Sequence, residues 1–89
     1  MFYILFMNKN DATLIHDKIL AVLLEEQEKR GISNYKIAQI TGISQSFLSY
    51  LKHSSAKPTL LILIMIADAI GVKLSDVIRR VEESANSAE

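Results

Sequence analysis

The chain has no cysteine and no tryptophan, a single proline and only three glycines. The absence of cysteine excludes disulfides and thiolate metal sites and suits a reducing, cytoplasmic setting. With so few helix breakers, most of the 89 residues are free to form a compact, largely helical domain. No apolar run approaches the roughly 20 residues needed to cross a membrane, so a membrane partner is not expected. Chemistry-bearing patterns are missing too. His16 and His53 are isolated in sequence, no nucleophile is spaced with a base, and neither metal-ligand spacing nor a glycine-rich phosphate loop occurs. An enzyme, a metal site and a cofactor are therefore not expected.

The remaining absence is the most informative. Formal net charge is zero, yet no aspartate or glutamate occurs between Lys29 and Ala67, a stretch that carries Lys29, Arg30, Lys36, Lys52 and Lys57. Acids collect on either side of it, leaving a basic middle that suits an anionic partner.

Within that middle, SNYKIAQITGISQSFLSYLKHSSAKP (residues 33–58) reads as two short helices and a tight turn. Ser33 is expected to cap a helix over about 34–40, with Ile37 and Ile40 facing inward. Thr41, Gly42 and Ile43 form the turn, where Gly42 supplies the positive φ that other residues resist. Ser44 caps a helix over about 45–52, with Leu48 and Leu51 inward and Gln45, Ser46, Ser49 and Tyr50 outward. A short helix held at a fixed angle, bearing small polar residues, is what enters a DNA major groove. Phe47 is expected to pack.

The flanks add three more helices. Ile15, Ile19, Val22 and Leu23 recur at helical spacing, with Asp11 or Thr13 as the expected cap and Gly31 as a left-handed stop. Residues 60–70 (LLILIMIADAI) are apolar nearly all round, the pattern of a helix buried on more than one side. Thr59 is its expected cap and Gly71 its stop. Leu74, Val77, Ile78 and Val81 mark an amphipathic fifth helix capped by Ser75. Residues 84–89 read as a frayed tail. Residues 1–12 form an apolar arm followed by a polar turn. The arm, MFYILFM, is open to three readings: a strand pairing with its symmetry mate, an arm packed on the helices, or a start site placed upstream of a true start at Met7. It is a poor signal peptide, lacking a basic leader and a cleavage site.

Ala38, Gly42, Ile43, Leu48 and Leu51, followed by Pro58, Leu60, Leu63, Ile66, Ala67, Ile70, Gly71 and Val72, resemble the pattern of the lambda-repressor-like, Cro-type (XRE) helix-turn-helix family. The resemblance covers residues 15–81. It implies an all-α, five-helix DNA-binding domain over residues 13–83, acting as a cytoplasmic, nucleoid-associated transcriptional repressor that binds a palindromic double-stranded operator as a homodimer. It also implies base contacts by Gln45, Ser46, Ser49 and Tyr50, where the Gln45 amide can bond N6 and N7 of one adenine. Phosphate contacts are expected from Asn34, Lys36, Ser44, Lys52, His53, Ser54 and Lys57. The apolar excess suggests a dimer interface from Phe2, Tyr3, Ile4 and Leu5, from Leu61, Ile62 and Met65, and from Val77 and Val81. An alternative is an antitoxin-like or anti-regulator module that binds a different protein through the fourth helix.

Two departures from the family pattern stand out. Many members pair an Arg four residues before the first-helix glycine with a Glu late in the third helix. Here those positions are Gln27 and Lys52, so a neutral or solvated arrangement is expected in place of the ion pair. Leu61, Ile62, Ile64 and Met65 also replace residues that are usually polar, which implies a partner.

Overall fold

The computed structural model describes residues 8–53 and 56–87, and these form five helices: α1 (Lys9–Lys29), α2 (Asn34–Thr41), α3 (Gln45–His53), α4 (Leu60–Ile70) and α5 (Leu74–Ser87). The expected all-α architecture is present. The arm residues Phe2, Tyr3, Ile4 and Leu5 and the loop residue Ser54 lie outside the described residues.

Local chemistry sets most boundaries. Ser33 accepts from the Lys36 N–H at 3.1 Å, Ser44 from the Phe47 N–H at 3.1 Å and Thr59 from the Ile62 N–H at 3.4 Å. Each satisfies a donor that a helix start leaves without a partner. Three expectations at the ends are corrected. α1 starts earlier, because Asn8 rather than Asp11 or Thr13 is its cap, accepting from the Asp11 N–H at 2.9 Å. Ser75 lies inside α5, whose first turn closes on the Lys73 carbonyl, the acceptor for Asp76 and Val77. α5 also runs to Ser87, into the stretch expected to fray.

α1 and α4 lie side by side and run the same way. At one end the His16 Nε2 donates to the Pro58 carbonyl at 2.9 Å; at the other the Arg30 guanidinium donates to the Ile70 carbonyl at 3.2 Å. α5 then returns antiparallel along α1. Its start shares a groove with Glu26 and Arg30, and its later residues Arg80, Val81 and Ser84 share one with Lys18, Ala21 and Val22. The core follows from this packing. Leu23, Ile37 and Ile66 are fully enclosed, surrounded by Ile19, Leu20, Leu48, Leu51, Leu63 and Ile70.

That packing corrects two side-chain expectations. Val77 and Val81 are only 5% exposed, so the fifth-helix stripe is spent on the chain's own core and offers little to a dimer. Ile40, expected inward, is 53% exposed. α2 turns Ile37 and the half-buried Asn34, Ala38 and Thr41 toward the body, leaving the Ile40 side outside. α4 is also less covered than its composition suggested: Leu60, Leu61 and Ile64 are 60%, 65% and 47% exposed.

Candidate nucleic-acid interface

The site is built on the α2–α3 corner. α2 ends at Gly42, φ +82°, whose N–H returns to the Ala38 carbonyl at 2.8 Å. Thr41 closes the turn from inside: its hydroxyl donates to the Ile37 carbonyl at 2.8 Å and accepts from the Ile43 N–H at 3.1 Å. This goes beyond the turn position expected of Thr41 from the sequence. The small Ala38 and the half-buried Ile43 sit where the two helices meet. Leu48 and Leu51, 2% and 3% exposed, then clamp α3 from behind.

With that inner face fixed, the rest of α3 is presented outward. Gln45, Ser46, Ser49, Tyr50, Lys52 and His53 are all exposed. Gln45, Ser49 and His53 fall four residues apart in one row, with Ser46 and Tyr50 in the next. The row is short, since nine residues rise about 13 Å, and an α-helix fits a major groove about 12 Å wide. No acid lies on α3, and Lys52 and His53 close its last turn. Phe47 packs against the core, as expected, and its ring lies 6.3 Å from that of Tyr50 at a 35° tilt.

The phosphate candidates separate into two groups. Lys36 and Lys52 are exposed and form no ion pair among the described residues. Lys57 instead reaches the Asp17 carboxylate at 2.9 Å. Lys29 and Arg30 are also drawn back to acids, Lys29 to Glu25 at 3.6 Å and Arg30 to Glu26 at 3.3 Å. The basic middle of the sequence is thus partly neutralised in the fold, and Lys36 and Lys52 carry its free charge. The Ser44 hydroxyl accepts as a cap, a role that does not use its own proton. Asn34 is half-buried and hydrogen-bonded to Gln27.

Residues 22–83 match the family described as Cro/C1-type HTH DNA-binding domain. The chain belongs to this family. Curated proteins and solved structures give no match. The Cro/C1-type domain is a double-stranded DNA-binding module, and its family is not an enzyme family. No helix among the described residues is long and apolar enough to cross a membrane. The Cro/C1 match covers α2 to α4 whole, with the last two turns of α1 and the larger part of α5; most of α1 precedes it.

Tyr35 and Gln39 extend the exposed α2 face of this Cro/C1 domain beyond the residues expected from the sequence. Tyr35 is 57% exposed and its hydroxyl accepts from the Gln39 amide at 3.0 Å. The available signal was their i, i+4 spacing on the side of α2 away from Ile37.

The ion pair on Lys57 has a measurable pH signature. The hydrogen bond from Lys57 holds the Asp17 carboxyl below its ordinary value of 3.8. A depressed folded-state pKa contributes stability above the unfolded value that is lost as pH falls through the folded one. Asp17→Asn is therefore expected to flatten the loss of stability on acidification below about pH 4, read from melting curves at stepped pH. It should also release Lys57 and tighten sequence-independent DNA binding. Identical acid limbs for the two proteins would remove the ion pair from the stability argument.

Proposed function

We propose that the chain is a sequence-specific transcriptional repressor, cytoplasmic and associated with the nucleoid, that binds a palindromic operator as a homodimer. One observation carries the reading: α3 is clamped from behind by Leu48 and Leu51 and presents Gln45, Ser46, Ser49 and Tyr50 outward with no acid among them. Gln45 is placed at the first turn, where its amide donor and acceptor match one adenine edge. The cations that support it, Lys36 and Lys52, supply affinity and register rather than sequence information.

A single short helix reads few base pairs. Two copies, with their α3 helices about 34 Å apart, read a two-fold site. With Val77 and Val81 enclosed, the exposed apolar face of α4 around Leu61 and Ile64 is the dimer surface supported best, flanked by the half-buried Ile62 and Met65. Occupancy of such an operator blocks other proteins from the same duplex, which gives repression.

Selection of bound duplexes from a random pool tests this reading. A consensus with two inverted half-sites is expected; no enrichment, or an asymmetric single site, would sink it. On the selected site, Gln45→Ala should cost about 1–3 kcal/mol, with little change on unrelated DNA. An equal loss on every sequence would make Gln45 a backbone contact. Lys36→Ala and Lys52→Ala should weaken binding to all sequences and each lower the salt slope by about one unit. Lys57→Ala should do less, because Asp17 already holds that charge. A salt slope unmoved by Lys36→Ala removes that residue from the phosphate set.

The same α4 face supports a second reading, an antitoxin-like or anti-regulator module with a different protein on Leu60, Leu61 and Ile64. A stoichiometric protein complex together with no salt-sensitive DNA shift would favour it.

A further inference from the structure

Among the described residues, Gln27 is the polar side chain in an otherwise apolar buried set, at 3% exposure. It stands at the position where many family members carry the Arg of an ion pair. Its Nε2 makes two hydrogen bonds, to the Ile32 carbonyl at 2.9 Å and to the Asn34 Oδ1 at 2.9 Å. The first bond settles the orientation of both amides. A backbone carbonyl can only accept, so the end of Gln27 that faces Ile32 is the NH2 group. Its second proton points at Asn34, so the Asn34 atom facing it is the oxygen. The Asn34 Nδ2, with both of its protons, is turned away from Gln27. The reference carbonyl is itself anchored, because the Ile32 N–H returns to the Gln27 carbonyl at 3.1 Å across the turn at Gly31, φ +66°.

We infer that Gln27 is a positioning residue for DNA: it locks the Asn34 amide so that a backbone phosphate meets a donor and not an acceptor. This rests on the proposed reading in which Asn34, the first residue of α2, contacts phosphate. An unlocked asparagine amide turns by half a revolution and presents oxygen lone pairs to a phosphate oxygen, which repels. The contact is between a neutral group and an anion, so it adds affinity without displacing a counterion.

The test uses the full chain and the duplex selected above. Asn34→Ala should lower affinity about 10-fold on all sequences with an unchanged salt slope, which separates it from Lys36→Ala. Gln27→Met keeps the volume and removes the donor. It should lower affinity by several-fold in the wild-type background and by nothing further when Asn34 is already alanine, the non-additivity expected of one residue acting through another. NMR exchange of the side-chain amide protons keeps the inference testable even where Gln27→Met fails to fold. In the wild-type protein the Gln27 Nε2 protons should exchange slowly, free and DNA-bound, and the Asn34 Nδ2 protons should exchange fast when free and shift on binding DNA. Fast exchange at Gln27 or an Asn34 amide indifferent to DNA overturns the inference, as does additive behaviour of the two substitutions. If the wild-type chain binds no duplex at all, the proposed function falls and takes this inference with it. If it binds, and Asn34→Ala weakens binding while Gln27→Met does not, only the role of Gln27 falls.

Discussion

Leu61→Asp combined with Ile64→Asp is expected to yield a folded protein that has lost about 10²–10⁴-fold of its affinity for a two-fold operator. Both side chains are largely outside the monomer, 65% and 47% exposed, so charging them removes little from the core. The melting temperature of the dilute protein should move by only a few degrees. The loss arises because each half of a dimer holds the other near its half-site, and that effective concentration vanishes when the copies part. The exposed side chains of Leu60, Leu61 and Ile64 fall short of the roughly 800 Å² per partner of a standard interface. The free dimer is therefore expected to be weak and to be reinforced by adjacent half-sites. Light scattering with and without operator DNA, beside affinity for one half-site and for two, separates these effects. Equal affinity of the double variant and wild type for the full operator would remove this face from the dimer.

Gly42→Val is expected to lower the melting temperature by about 10 °C or more, while Gly42→Asn should cost far less. A Cβ built at Gly42 meets nothing within 4 Å, so space does not decide the outcome. The backbone does, at φ +82°. An ordinary L-residue loses about 1–2 kcal/mol in the left-handed region, and a β-branched one more, because its second γ-substituent crowds the carbonyl. Asparagine visits that region more readily. Each kcal/mol shifts the midpoint of a domain this small by about 4–8 °C. The Val variant should also bind DNA poorly above its lowered midpoint, since α3 is set on α2 through this turn. Equal melting of the Val and Asn variants would show that φ at position 42 is not the constraint.

These two predictions differ in how far they could be read from the chain itself. The Gly42 turn, the serine and threonine caps at positions 33, 44 and 59, the length of α4 and the inward Leu48 and Leu51 are all local. Each depends on residues within one or two turns of one another, so spacing and side-chain type suffice. Near misses at the helix ends have a local cause as well. Asn8, Asp11 and Thr13 can all cap α1, and the choice among them lies in how far the first turn propagates. Ser75 resembles a cap, but the Lys73 carbonyl starts α5 two residues earlier.

What the α4 face would contact, and which cations remain free, are not local. An apolar stripe announces that it will be covered, without saying by what. Val77 and Val81 carry the same signal as Leu61 and Ile64, yet α5 folds back along α1 and encloses the first pair while the second stays in solvent. The acid-free stretch is similar. Asp17 lies forty residues from Lys57, and only the pairing of α1 with the start of α4 brings them to 2.9 Å, leaving Lys36 and Lys52 as the cations of that stretch with no ion pair among the described residues. The Gln27 amide belongs to the same class, because its two acceptors converge only once the chain has turned at Gly31. The sequence by itself determined five helices, their turns and the outward face of α3, since these follow from short-range backbone geometry and helical periodicity. Tertiary structure decided which apolar surface is left over, which lysines stay free and which way Asn34 presents its amide, because each depends on distances between segments that no spacing along the chain encodes.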